Sequence, residues 1–260
     1  MLNRFFKRMA PLAAIALGAA VSGCDRVEIK IDGVDMDGVP LSELDTSGDA
    51  PKAVAMFGPD SIIITEGEDL SIEVEGDDEA VDAMRFTLEK GRLGVTRDFD
   101  IWDEGKATVR VTMPAPEDLS MAGSGHIESF AMANRAEINI GGSGSIKVDE
   151  ISSERLDVNI GGSGDVSGKG TAERLDVNIG GSGHVRLAEL KADRADINIA
   201  GSGDVSFASD GRVEANIIGS GDVTVKGSAK CEVNAIGSGT LNCDNSSDSD
   251  EEVEAEAEES

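Results

Sequence analysis

The chain has 260 residues, enough for one or two domains with a sizeable hydrophobic core. It contains 32 Gly, one Trp, no Tyr and two His, whereas enzyme pockets draw on aromatic side chains and titratable His. Its formal net charge of −28, from 51 acidic and 23 basic residues, excludes a nucleic-acid partner, because phosphate binding requires clustered Lys and Arg.

The N-terminus has the layout of an export signal. Basic residues within the first eight positions precede the run APLAAIALGAAV, which is too short to span a bilayer. Residues 21–24, VSGC, resemble a bacterial lipobox, and this implies cleavage before Cys24 and lipidation of that residue. We therefore assign residues 1–23 to a lipoprotein signal peptide and expect the lipid on Cys24 to anchor the protein in a membrane. An ordinary secretory signal followed by a chance cysteine is the alternative.

The next two segments differ in composition. Residues 24–50 are acidic with interspersed Gly, Pro and Ser, which predicts a tether between the lipid and the folded body. Residues 51–115 contain the runs SIIITEG, LSIEVEG and KATVRVTMPAP, whose β-branched residues alternate with polar ones between Gly, Asp or Pro. This pattern predicts strands, and DDEAVDAM suits a short helical turn. We interpret residues 51–115 as the β-rich N-terminal part of a larger domain.

A repeat dominates residues 116–243. Gly-Ser-Gly begins at residues 123, 142, 162, 181, 201, 219 and 237, in steps of 18 to 20. This period, with β-type residues between the motifs, predicts an all-β fold, a right-handed parallel β-helix of about seven coils of 18–20 residues. Gly-Ser-Gly is expected at a corner, because Gly adopts backbone conformations closed to other residues. The first coil has Pro116 and Ser120 where later coils have Arg and Asn, and we expect it to be the cap.

The six residues before each corner alternate between apolar and polar types. Side chains of a strand alternate faces, so the apolar residues point into the core and the base, acid and Asn point outward. Stacking at about 4.8 Å turns each outward position into a column, in which bases can neutralise acids and Asn amides can bond along the axis. The candidate binding face comprises Arg135, Arg155, Arg174, Arg194, Arg212, Asp157, Asp176, Asp196, Asn139, Asn159, Asn178, Asn198, Asn216 and Asn234. A solvated wall that binds nothing is the alternative.

Two cysteines fall in inward columns of the last coil. Cys231 precedes the final corner and Cys243 follows it, so they face each other across one coil. An envelope compartment is oxidising, which favours a disulfide between them. Two buried free thiols are the alternative.

Sites for chemistry are weakly supported. GGSGDV differs from the calcium-binding nonapeptide because Asp165 directly follows Gly164, and the repeat period is twice that of the nonapeptide. His126 and His184 share a column three coils apart and are expected to be solvated. We therefore assign no catalytic residue, metal site or cofactor.

The last 17 residues, 244–260, contain nine acids and no base. Such a segment repels itself and buries little apolar surface, which predicts a disordered, solubilising tail. Binding of calcium or of a basic partner by this tail is the alternative.

Three runs carry a family resemblance. IIITEGEDLSIEVEGDDEAVDAMRFTLEKGRLGVTR, then VRVTMPAPEDLSMAGSGHIES, then the repeated NIGGSGDV resemble the head GIN domain family of putative auto-transporter adhesins, over roughly residues 52–243. The resemblance implies a β-helical fold in the cell envelope of Gram-negative bacteria, often in a lipoprotein. The family defines no catalytic residues, so none is transferred to this chain.

These observations predict a non-enzymatic cell-envelope lipoprotein that faces the periplasm or the cell surface. Its repetitive polar face would bind an envelope or extracellular partner, a protein or a polysaccharide, as an adhesin does. A polysaccharide-active β-helix enzyme and a ligand-free structural spacer are the alternatives.

Overall fold

A computed structural model describes residues 30–31, 34–35, 38–98 and 105–244. The predicted signal peptide, the lipidation site Cys24 and residues 245–260 of the predicted tail lie outside the described residues.

Nearly all of the secondary structure consists of strands. The N-terminal part contains β1 (Lys30–Ile31), β2 (Val34–Asp35), a 3-10 helix (Leu41–Glu43), β3 (Ala53–Gly58), β4 (Ser61–Glu66), β5 (Ser71–Gly76), α1 (Asp78–Ala83), β6 (Met84–Glu89), β7 (Arg92–Arg97) and β8 (Ala107–Met113). The repeat region contains β9 (Asp118–Gly123), β10 (His126–Ala131), β11 (Arg135–Gly142), β12 (Ser145–Gly162), β13 (Asp165–Gly181), β14 (His184–Gly201), β15 (Asp204–Ala208), β16 (Arg212–Gly219), β17 (Asp222–Lys226), β18 (Lys230–Gly237) and β19 (Thr240–Asp244).

The repeats stack as a parallel β-solenoid, as predicted. Each segment before a corner pairs in parallel with the equivalent segment of the next coil, so that Gly142 lies opposite Gly162 and Gly162 opposite Gly181. The corner motifs therefore form a row along the axis. At each step the N–H of the corner Ser donates to the carbonyl of the Gly one coil below, at 2.8 Å for Ser182 to Gly162.

The middle coils have a third side, between the strand after one corner and the strand before the next. The repeat pattern did not predict it. In β12, Ile146 and Val148 are buried, then Ile151 and Ser153, then Leu156. Two consecutive exposed residues separate these groups, which shifts the inward phase and bends the strand twice. The third side matters for later arguments because its length varies from coil to coil.

The prediction that the first Gly-Ser-Gly coil is the cap is wrong. β3 pairs in parallel with both β7 and β9, and β4 with both β8 and β10. Gly58 lies opposite Gly123, so Gly58-Pro59-Asp60 forms a corner of its own. Two further courses, β3–β4 and β7–β8, therefore stack below the Pro116 coil, and they do so out of chain order.

The N-terminal end of the solenoid is covered by antiparallel strands. β5 pairs with β8 and β6 with β7, both antiparallel, and α1 joins β5 to β6. Ala80 and Ala83, three residues apart on one helical face, are buried against the core. The predicted helical turn in DDEAVDAM is thus confirmed as α1. We call β5, α1 and β6 the cap.

The C-terminal part of the predicted tether lies on the cap. Val39 exchanges two backbone hydrogen bonds with Phe86, at 2.9 and 2.8 Å, and Leu41 and Leu44 pack against the core. The chain thus reaches the folded body at its capped end.

The core consists of several columns of apolar side chains on the inner surfaces of the coils. Ile138, Val158, Val177 and Ile197 stack directly above one another and are fully buried. Each such side chain stabilises the fold by roughly 1.5–3 kcal/mol relative to leaving it exposed. Within the described part of the chain, no helix has the length and apolar character needed to cross a membrane.

Candidate functional site

The outward side chains of the strands before the corners form one continuous surface, which we call the ladder face. Register pairs each residue with its equivalent in the next coil. The base column contains Arg135, Arg155, Arg174, Arg194, Arg212 and Lys230. The acid column contains Glu137, Asp157, Asp176, Asp196, Glu214 and Glu232. The Asn column contains Asn139, Asn159, Asn178, Asn198, Asn216 and Asn234.

The predicted amide bonding in the Asn column is confirmed. Each amide nitrogen donates to the amide oxygen of the preceding coil, at 3.0 Å for Asn159 to Asn139 and for Asn178 to Asn159. The same bond recurs at 3.2 Å for the next three coils, up to Asn234. An amide donates and accepts at once, so a stack of Asn satisfies both groups without water. The hydrogen bonds of the Asn column therefore fix the register of the coils.

The prediction that all Asn side chains face solvent is wrong for the middle of the column. Asn178 and Asn198 are only 7% and 6% exposed. Each is bonded above and below and lies among neighbouring coils, which exclude water. A ligand on the ladder face would therefore contact mainly the base and acid columns there.

The base and acid columns interlock within and between coils. Arg155 donates from Nε to Asp157 at 2.6 Å and from Nη2 to the same carboxylate at 2.8 Å. The same Nη2 lies 3.0 Å from Asp176 of the next coil. Arg174 repeats the pattern, 3.4 Å from Asp176 and 3.4 Å from Asp196. Each of these two Arg thus bridges two courses.

Asp176 is the most perturbed group of the lattice. Burial raises the pKa of its carboxyl above the ordinary value of 3.8. Arg155 and Arg174 lower this pKa by less, because their nitrogens lie near Oδ2 without an aligned hydrogen bond to it. Asp157 and Asp196 repel the charged form and raise the pKa further. The ionised form of Asp176 therefore costs stability.

We expect Asp176→Asn to stabilise the protein at neutral pH. A carboxyl whose pKa is raised on folding contributes most stability below its unfolded pKa and loses it as pH rises through the folded value. The neutral amide removes that loss, so the urea midpoint of the variant should exceed that of the parent at pH 7 and match it near pH ~3. Urea unfolding at the two pH values measures this.

Asp157→Asn is the matched control in the same column. It removes the negative charge and one of the two oxygens that accept from Arg155, and it should lower stability by about 0.5–1.5 kcal/mol at pH 7. If both substitutions destabilise equally at pH 7, the charge of Asp176 is not a cost.

The C-terminal part of the ladder face differs from the middle. Arg194, Arg212 and Lys230 are exposed and form no ion pair with any described residue. Their cationic groups remain hydrated and accessible. The structure thus brings all predicted face residues onto one surface, but couples only its middle coils into a charge lattice.

Other polar clusters lie off the ladder face. His184 Nδ1 lies 3.2 Å from Asp204, and His126 Nδ1 lies 2.8 Å from the Ser145 hydroxyl. A shallow cavity of about 290 Å³ opens on the third side, between residues 134 and 193, with Ser152, Thr171 and Lys191 in its lining. Among the described residues no three His, Cys, Asp or Glu converge as a metal site would require.

The comparisons with known proteins agree on the fold. The profile of the family described as "Putative auto-transporter adhesin, head GIN domain" matches residues 50–229, more than half of the chain. The chain belongs to this family. No curated protein matches this GIN domain protein.

Solved structures of three bacterial proteins resemble the GIN domain in architecture. A putative adhesin from Bacteroides fragilis is 19% identical, with a TM-score of 0.65, over 75% of this chain and 92% of that chain. A putative lipid binding protein from Parabacteroides distasonis is 22% identical, with a TM-score of 0.61, over 76% and 94%. A putative adhesin from Parabacteroides merdae is 17% identical, with a TM-score of 0.55, over 76% and 93%. At these identities the likeness establishes the shared fold.

The last coil of the solenoid contains the two inward cysteines. Cys231 and Cys243 are joined as a disulfide, with Cα atoms 6.7 Å apart. The bond links β18 to β19 across the final corner, and both residues are partly buried against the core. It closes the one coil that has no neighbour above it among the described residues.

One buried ion pair was not predicted from the sequence. Arg97 and Asp60 are 0% and 2% exposed, and the guanidinium donates to both carboxylate oxygens, from Nε at 3.0 Å. Asp60 also accepts the N–H of Ala107 at 2.8 Å. Asp60 occupies the corner position that Gly125 occupies in the next coil. An acid in place of the corner Gly was the one sign in the sequence of a special role for this residue. The pair fastens the β3–β4 course to the β7–β8 course.

Proposed function

We propose that this GIN domain protein is a non-enzymatic adhesion module of the cell envelope, anchored in a membrane through lipid on Cys24. The ladder face binds an extended partner, a protein or a polysaccharide. The observation that carries the proposal is the face itself, a rigid surface whose chemical groups recur at each coil. Such a surface suits a partner that also repeats along its length.

The geometry supports contact at the C-terminal part of the face. Arg194 and Arg212 are exposed and free of ion pairs with described residues, so binding them requires no internal bond to break. Guanidinium groups recognise carboxylates and similar anions through paired hydrogen bonds. We therefore propose that the partner carries anionic groups.

Family membership and surroundings support a role without catalysis. The family is described as a putative adhesin family, and two of the similar solved proteins are described as putative adhesins. The raised pKa of Asp176 has a structural cause in burial, and the described cavity near Lys191 lies on another side of the coil. An acid with a shifted pKa inside a cleft is a common sign of an enzyme. Here Asp176, whose pKa is raised, and the cavity near Lys191 lie on different sides of the coil.

Binding of immobilised purified polysaccharides and envelope extract to the soluble chain from residue 25 onward tests the proposal. Arg194→Ala/Arg212→Ala should reduce saturable binding at least tenfold, about 1.4 kcal/mol, with an unchanged unfolding profile. Lys169→Ala/Lys226→Ala removes the same charge from other sides of the coil and should leave binding unchanged.

Two outcomes would overturn the proposal. Equal binding by both double variants would exclude the ladder face as the contact surface. Release of reducing ends from any polysaccharide would instead identify the protein as an enzyme.

A further inference from the structure

The two ends of the solenoid are covered differently. At the N-terminal end the cap pairs with β7 and β8 and buries the core. At the C-terminal end β18 pairs with β16 and β19 with β17, and no described strand lies above either. Val233 is 46% exposed, whereas Ala215 directly below it in the same inward column is 0% exposed. The hydrophobic core therefore ends in an open surface.

The backbone of β18 is open on the same side. The Lys230 N–H donates to the Gly211 carbonyl at 2.8 Å, toward the coil below. Successive residues of a strand direct their N–H and C=O groups to opposite sides, so those of Cys231, Val233 and Ala235 face away from the described coils. Unpaired edge groups beside exposed apolar side chains are a template for one more strand.

The chain itself continues from this surface. β19 ends at Asp244, and 16 residues follow it. Among them Val253, Ala255 and Ala257 alternate with Glu252, Glu254, Glu256 and Glu258. This period-two pattern is that of a strand with one apolar face. It has the same order as Cys231, Val233 and Ala235 with their polar neighbours.

The spacing brings this segment within reach of β18. Cys231 and Val253 are 22 residues apart, compared with steps of 18 to 20 between the corners of earlier coils. We assign the excess to the residues between β19 and Glu252, because the length of the third side already varies between coils. Charge also favours pairing of this segment with β18 at one position. Lys230 has no ion pair among the described residues, and Glu252 would stack on it.

We propose that residues 252–258 form the last strand of the solenoid by pairing with β18. Val253, Ala255 and Ala257 cover the open core, and Glu252 lies beside Lys230. Glu254 then stacks on Glu232, and this like-charge repulsion, which salt screens, opposes docking. Composition alone predicts a disordered tail, and the open end of the core supplies the apolar contacts that the isolated segment lacks. The tail thereby blocks edge-to-edge pairing with a second copy.

Hydrogen exchange of the soluble chain from residue 25 onward tests the inference. The amides of Cys231, Val233 and Ala235 should exchange at least tenfold faster when the chain stops at Asp244, while those of β13 stay unchanged. Ala255→Glu/Glu256→Ala keeps composition and charge but breaks the alternation, and it should expose the same three amides.

Each alternative occupant has its own signature. Equal protection in the parent and in the Ala255→Glu/Glu256→Ala variant would show that the tail acts by charge alone and would overturn the inference. Protection of the parent that rises with protein concentration would identify a second copy as the cover and would overturn it as well. Concentration-dependent association of the truncated chain only would support it.

Discussion

Gly201→Ala is expected to destabilise the protein by roughly 3 kcal/mol or more. Gly201 has a φ of +139°, a region closed to residues with a side chain. A Cβ at this position would lie 2.0 Å from the Gly181 carbonyl oxygen. That oxygen accepts the Ser202 N–H at 2.9 Å, so it cannot move without breaking the contact between two coils. A lower urea midpoint and faster proteolysis near this corner would show the effect.

Gly161→Ala is the matched control. The nearest atom to its Cβ is 3.9 Å away, and the equivalent positions two and three coils later are already Ala200 and Ile218. This substitution should change stability by less than about 0.5 kcal/mol. Equal losses for Gly161 and Gly201 would contradict the explanation by backbone approach, since both changes add the same methyl group.

Arg97→Met should cost about 3–5 kcal/mol, because it leaves the Asp60 carboxylate buried without its cation. The pair is almost completely buried, and the remaining bond to Asp60 is the N–H of Ala107. Met has comparable length and no charge, so the loss measures the uncompensated carboxylate more than a cavity. Urea unfolding of the soluble chain measures it.

The double variant Asp60→Asn/Arg97→Met separates charge from packing. Asn keeps an acceptor for the Ala107 N–H and needs no cation, so the double variant should recover at least about 2 kcal/mol of the loss. Arg110→Met is the control for an exposed pair, since Arg110 and Glu75 are 46% and 59% exposed, and it should cost less than about 1 kcal/mol. A double variant no more stable than Arg97→Met alone would refute the account.

The ladder face was largely predictable because the repeat aligns itself. Residues at one phase of an 18–20-residue period must stack when coils are parallel, so the Asn column and its amide bonds follow from Asn159 and Asn178 occupying the same phase. The burial of Asn178 was not predictable from that phase. It depends on how closely the flanking columns pack, which the alternation of residues does not specify.

The course formed by β3 and β4 shows where the pattern of the chain stops being informative. β4 was predicted from SIIITEG, but the place of this course between β7–β8 and β9–β10 was not. Strands of similar composition can stack in several orders, and the local alternation is the same in each. The choice here involves Asp60, whose carboxylate at a corner meets Arg97 from a neighbouring course. Such a contact joins residues 37 apart and has no local signature.

Periodicity alone was therefore sufficient for the solenoid, its corners and the composition of each column, since these depend on interactions between identical phases of neighbouring coils. Tertiary packing decided the order of the first courses, the third side, the buried Arg97–Asp60 pair and the difference between the capped and open ends. These features arise where the repeat is broken, and there stability depends on contacts between segments that have no equivalent elsewhere in the chain.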